Sequence, residues 1–106
     1  MIPNWIWVRH ARNLTWEDTP RGRVAWNLTT LNLNLGKLAI RMGATYYAAV
    51  SREGGCLMAA SGVSIEGFPV GDGWTQPSPN LVVLRRPGTL EDEARIRRYL
   101  YPHPCS

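Results

Sequence analysis

The chain has one lysine, one phenylalanine, two cysteines and two histidines in 106 residues. It also lacks any apolar run near the ~18 residues that a membrane helix needs. Each shortage excludes a class of protein. Two cysteines allow at most one intramolecular disulfide, and Cys56 and Cys105 are far apart, with Cys105 next to last. The expectation is a buried free Cys56 and an exposed Cys105. His103 and Cys105 are metal-capable, but no second ligand pair has zinc spacing. Ile6, Trp7 and Val8 are bracketed by Pro3, Asn4, Arg9 and His10, which is not the plan of a signal peptide. These features predict a cytoplasmic protein with no membrane partner. No glycine-rich phosphate loop, nucleophile elbow or dinucleotide fingerprint occurs, so neither a cofactor nor a metal is expected.

With lysine nearly absent, the basic side of the chain is arginine: eleven of the twelve cations, set among five tryptophans. Arginine stays charged, forks onto carboxylates and phosphates, and stacks on aromatic faces. The net charge of +4 is uneven. Residues 1–52 hold Arg9, Arg12, Arg21, Arg23, Lys37, Arg41 and Arg52 against Glu17 and Asp18, a surplus of five. Residues 53–88 carry one excess acid, and the last eighteen residues balance. Steering of an anionic partner is therefore expected from the N-terminal half.

The clearest element is a C-terminal helix. Pro87-Gly88 breaks the preceding strand, Thr89 is a good N-cap, and Asp92 stands at the reciprocal position of a capping box. Glu91, Asp92 and Glu93 open the helix and Arg95, Arg97 and Arg98 follow, matching the macrodipole. Glu91–Arg95 and Glu93–Arg97 have i,i+4 spacing. Leu90, Ala94, Leu100 and Tyr101 are expected on the buried side, with Ile96 at its edge. Pro102 and Pro104 end the helix.

Most of the remainder reads at period two. Residues 5–8 suggest a strand apolar on both faces, and 15–23 a turn region with at most one helical turn. Val24, Trp26 and Leu28 alternate; Leu31, Leu33 and Leu35 continue out of phase, implying a bulge or turn. Residues 35–50 fit either strands, with a hairpin near Asn34–Lys37, or a helix capped by Asn34. Gly36 and Gly43 would cost such a helix about 1 kcal/mol each, so strands are preferred. Residues 45–51 and 56–60 flank a hairpin loop. A short strand is expected at Val63–Ile65, an irregular segment over Gly67–Pro79 and a buried strand over Asn80–Arg86. The whole is an α+β fold, expected as a single domain over residues 1–106. It would be a small antiparallel β-meander of about five to seven short strands with one C-terminal α-helix packed on a face.

Trp5, Trp7 and Arg9 would share one face of an extended strand, with Arg12 just beyond, as in a stacking platform for single strands. Burial in the core is the preferred reading, because exposing two indoles forfeits several kcal/mol. Arg21-Gly22-Arg23 on a turn could clamp a phosphate or carboxylate, or be neutralised by Glu17 and Asp18. Of Arg85 and Arg86, one is expected in water and the other over the helix. Trp74, in the stretch Gly71-Asp72-Gly73-Trp74, is either a loop-tip anchor for a partner or a staple tucked back into the loop. A nuclease built on His10 with Glu17 or Asp18 and Arg21 is conceivable, but a lone histidine at a strand end is more often structural.

No motif assigns a family. In style the chain resembles the small, motif-poor, arginine-rich proteins of phages and mobile elements, such as anti-CRISPR proteins. That resemblance implies a non-enzymatic inhibitor or adaptor that binds a host protein or nucleoprotein complex. Expected contacts are Arg9, Arg12, Arg21, Arg23, Asp72 and Trp74. Direct nucleic-acid binding through the basic half is the second expectation, and a small toxin-type ribonuclease the third.

Overall fold

The computed structural model describes residues 14–28 and 31–102. Its elements are β1 (Thr15–Thr19), β2 (Gly22–Asn27), α1 (Leu33–Arg41), β3 (Tyr46–Val50), β4 (Cys56–Ala60), β5 (Trp74–Ser78), β6 (Leu81–Leu84) and α2 (Leu90–Leu100). The strands form one six-stranded sheet in the order β1-β2-β3-β4-β6-β5. All neighbours are antiparallel except β2 and β3. The α+β class and the strand number agree with the sequence reading, whereas the simple meander and the single helix do not. Parallel neighbours need a crossover rather than a hairpin, and α1 supplies it.

That crossover explains the apolar pattern. Even-numbered strand residues (Val24, Trp26, Tyr46, Ala48, Val50, Met58, Val82, Leu84) pack with Ile96, Tyr99 and Leu100 of α2. Odd-numbered ones (Ala25, Tyr47, Ala49, Leu57) pack with Leu35, Leu38 and Ala39 of α1. A sheet covered on both faces needs apolar residues at both phases, which is why β3 and β4 read as near-continuous apolar runs. The expected strand at Val63–Ile65 is irregular chain, although Ile65 is buried. Conversely, β5 lies inside the segment expected to be irregular. The expected strand over residues 5–8 lies outside the described residues.

Residues 35–50 are corrected from hairpin to helix plus strand. Asn32, not Asn34, is the N-cap; its side chain accepts from the backbone N–H groups of Asn34 and Leu35. Each glycine has a reason in the fold. Gly36 faces the Tyr47 ring, where a Cβ would stand 3.0 Å from Cδ1. Gly43 lies past the helix end at φ +99. There Gly43 N–H donates to the Ile40 carbonyl and Ala44 N–H to that of Ala39, at 3.1 Å each. This is a Schellman stop, for which glycine is favoured.

Residues 15–23 are corrected from a turn region to a hairpin, with Thr19 paired to Gly22 across Pro20-Arg21. Gly22 sits at φ +141, where a Cβ would stand 2.6 Å from Thr45 Oγ1. The alternation expected through Leu28 stops at Asn27, and Leu28 is exposed. The capping box at Thr89 and Asp92 forms as expected. The buried stripe of α2 is rotated from the expected one. Asp92, Ile96, Tyr99 and Leu100 are buried, while Leu90 and Tyr101 are exposed. Among the described residues, no helix is long and apolar enough to cross a membrane. Cys56 is buried and free, and burial pushes its thiol above the ordinary range; Cys105 lies outside the described residues.

Candidate partner-binding face

The two faces of the sheet treat their charges differently. Six ion pairs join described residues; four tie α2 to another element or loop and two, Arg97–Glu93 and Arg98–Glu91, lie within it. Arg86 forks onto the buried Asp92 carboxylate, Nη1 to Oδ2 at 3.0 Å and Nη2 to Oδ1 at 3.2 Å. The same carboxylate accepts Trp74 Nε1–H at 3.2 Å and Thr89 N–H at 2.8 Å. Burial would raise the Asp92 carboxyl, but the bonds from Arg86, Thr89 and Trp74 outweigh it and hold the group below the ordinary range. Arg97 lies 4.4 Å over the Trp26 ring and pairs with Glu17 at 2.7 Å and Glu93 at 3.3 Å. Tyr101 donates its hydroxyl to Glu17. Burial would raise the Glu17 carboxyl as well, but Tyr101 and Arg97 prevail and lower it. Arg95 holds Asp72 at 2.8 Å, Arg52 holds Glu93 at 3.5 Å, and Arg98 holds Glu91 at 2.9 Å. On this face, charge fastens α2 to the sheet and its loops.

On the α1 side, Arg23, Lys37 and Arg85 have no carboxylate within ion-pair distance among the described residues. Arg23 shares the odd phase of β2 with Ala25, and its guanidinium lies 4.3 Å over the half-buried Trp16 ring. Asp18 stands opposite Arg23 in register and offsets part of its charge. Arg85 falls, by strand alternation, on the same side as Leu81 and Val83. Lys37 is exposed on α1. It helps line an open groove of about 270 Å³ with Leu33, Ile40, Leu57, Ala59 and Leu81. The groove exists because α1 has only nine residues and leaves the β4–β6 part of the sheet partly uncovered. An apolar groove with Lys37 in its lining, on the sheet face that also carries the stacked Arg23–Trp16 pair, can take a segment that carries both carboxylates and apolar side chains.

The residues singled out in the sequence separate. Arg9, Arg12 and His10 lie outside the described residues, as do Trp5 and Trp7. Arg21 and Arg23 do not form one clamp. Arg21 donates from Nε to the Tyr99 carbonyl at 2.6 Å, while Arg23 turns to the opposite face. Glu17 does not neutralise them, being held by Arg97 and Tyr101. Trp74 is buried at the start of β5, packed on Phe68 with ring centroids 5.1 Å apart. Asp72 and Gly73 both have positive φ between Gly71 and Trp74, which exchange backbone hydrogen bonds. That is the demand of a type I′ turn, and Asp72 is tied by its carboxylate to Arg95. The expected Glu91–Arg95 pair is replaced by Asp72–Arg95 and Glu91–Arg98, while Glu93–Arg97 forms. Arg86 covers the helix and Arg85 is exposed, as the sequence suggested for one of the two.

Sequence reasoning missed Trp16, Leu33 and Lys37 as parts of one surface. The signal was the helical stripe of residues 35–50, set aside because of two glycines. Among the described residues, no three His, Cys, Asp or Glu side chains are grouped to hold a metal ion. No family model matches the chain, and comparison with curated proteins and with solved structures gives no match.

Proposed function

We propose that the chain is a non-enzymatic binding protein, an inhibitor or adaptor, that docks through its α1 face on an acidic segment of a partner protein or nucleoprotein complex. The observation that carries this reading is the division of charge across the sheet. Among the described residues, the arginines packed against α2 are paired with carboxylates except Arg21, which bonds the Tyr99 carbonyl, while on the α1 side Lys37 lines the groove and Arg23 and Arg85 share that face without a carboxylate partner. The occupant that fits is an amphipathic acidic segment. Its apolar side chains would lie against Leu33, Ile40 and Leu81, and its carboxylates would meet Lys37 and Arg23. Such charge arrangements speed encounter and fix register more than they add affinity. Small size, absence of catalytic motifs and arginine richness support a role like that of phage or mobile-element inhibitors of host machines.

A reading with direct nucleic-acid binding is favoured by the Arg23–Trp16 stack alone, and one titration separates the two. Partners captured by wild type and by the charge-reversed double variant R23E/K37E are compared, then rebuilt from purified components. The proposal expects an acidic protein that binds wild type and loses the double variant. Tight binding to a generic single strand, with a steep loss as salt rises, would instead favour nucleic acid. The Trp74→Ala variant is unsuitable for this purpose, because Trp74 is buried.

A further inference from the structure

At the other end of the molecule, an open pocket of about 270 Å³ lies where the β1–β2 turn, residues 67–69 and the C-terminal end of α2 meet. Arg21, Gly67, Pro69, Arg98, Tyr99 and Pro102 line it. Its chemistry is one-sided: among the described residues the lining holds two guanidinium groups and no carboxylate. Arg21 uses Nε on the Tyr99 carbonyl, with the Tyr46 hydroxyl as a further polar neighbour of its guanidinium. Its guanidinium stacks 4.0 Å over the Tyr99 ring, which fixes its position. The bond to the Tyr99 carbonyl also offsets the negative end of the α2 dipole, which would otherwise repel an anion. Among the described residues Arg98 is paired with Glu91, and both side chains are well exposed, at 59% and 70%. Such a pair is worth little in water and yields readily to a better acceptor.

The wall beneath Arg21 is the Tyr99 ring. Tyr99 is only 5% exposed, and its hydroxyl lies in the core beside Tyr46, out of reach of solvent. Tyr46 meets the Tyr99 ring edge-on at 6.4 Å. Burial and then Tyr99 push the Tyr46 hydroxyl up, with Arg21 opposing, so the two hydroxyls and the Arg21 guanidinium form one neighbourhood.

The geometry points to a phosphate-monoester site: a dianionic phosphate seated between the Arg21 and Arg98 guanidinium groups at the C-terminal end of α2, with Tyr99 as its inner wall. The two guanidinium charges, Arg21 held in place and Arg98 free to turn toward a ligand, match the charge of about −1.5 to −2 on a monoester. Forked guanidinium groups suit its oxygens. Gly67, Pro69 and Pro102 close the rest without charge, leaving room for a phosphate and a small substituent. The clamp sought at Arg21-Gly22-Arg23 thus forms with a different second arginine, brought from α2. This site is on the far side of the sheet from the α1 groove and stands or falls independently of it.

The test is an NMR titration of the full chain with inorganic phosphate, repeated for Arg98→Gln and, as a control across the sheet, Arg85→Gln. Both arginines are exposed, so neither change threatens the fold. Wild type should show saturable shifts at the Gly67 and Arg98 amides, with a dissociation constant on the order of 1 mM. Arg98→Gln should weaken binding about tenfold or more, and Arg85→Gln less than about twofold. An oligonucleotide with diester linkages only should fail to displace phosphate. No saturation by about 50 mM phosphate, equal losses in both variants, or displacement by the diester strand would each overturn the proposal.

Discussion

The Trp74 indole donates to the buried Asp92 carboxylate at 3.2 Å, so the residue that looks like a loop-tip anchor is a strut between β5 and α2. Trp74 is 3% exposed and packs on Phe68. Trp74→Ala is expected to destabilise the fold by about 3–5 kcal/mol, the usual cost of deleting a large core aromatic. Trp74→Phe should cost less, since it keeps much of the packing but removes one donor from Asp92. Urea unfolding of both variants checks this order. Lost partner binding in Trp74→Ala would report unfolding rather than a missing contact.

Asp92→Asn should cost about 2 kcal/mol. Removing one member of a buried ion pair costs more than that, but Arg86 is 42% exposed and water partly replaces the lost charge. The pH dependence follows from the same contacts. Asp92 and Glu17 both have carboxyls held below their ordinary values of 3.8 and 4.5. Their stabilisation is complete above those values and is lost as pH falls through the lower folded-state values. Denaturant midpoints should therefore be level near neutrality and drop once pH passes below about 4. In Asp92→Asn the drop should be shallower.

Gly88 sets the join between β6 and α2. A Cβ there would stand 2.3 Å from Cys56 Sγ and 2.9 Å from Val50 Cγ1, and Gly88 N–H donates to the Ser51 carbonyl at 2.7 Å. Gly88→Ala should destabilise by about 1–3 kcal/mol through overpacking, although its backbone needs no glycine-only φ. A melting temperature equal to wild type would show that the Cys56 pocket yields.

What the sequence made legible was local. The α2 cap, charge order and stop are written in adjacent residues, and the hairpin around residues 52–55 is marked by its glycines. What it hid was relational. The near-continuous apolar runs of β3 and β4 carried the signal of a sheet covered on both faces, but not which segment covers the second face, so α1 and the parallel β2–β3 pair escaped notice. Gly36 and Gly43 looked like breaks because their reasons, the Tyr47 ring and the Schellman stop, belong to the tertiary fold. Trp74 and Asp72 looked like binding residues because the partners that occupy them, Asp92 and Arg95, lie about twenty residues on. Which arginines stay outward could be read only after the carboxylates had found theirs.

Those two glycines give a direct check. Gly36→Ala should destabilise in spite of a helix-propensity gain of about 1 kcal/mol, because the added Cβ meets the fully buried Tyr47 ring. Gly43→Ala meets nothing within 4 Å and is strained only by φ +99, at roughly 1 kcal/mol. Combining Gly36→Ala with Tyr47→Leu should relieve the first effect and leave the second unchanged, as double-mutant cycles of unfolding would show.

The central claim is that the α1 face, and not the α2 face, meets the partner. Its most direct test is the affinity of the purified partner for wild type, for Lys37→Glu and for Arg52→Glu, a matched charge reversal on the α2 side. Lys37→Glu should weaken binding about tenfold or more, and Arg52→Glu by less than about twofold. Equal losses, or a loss confined to Arg52→Glu, would contradict the claim.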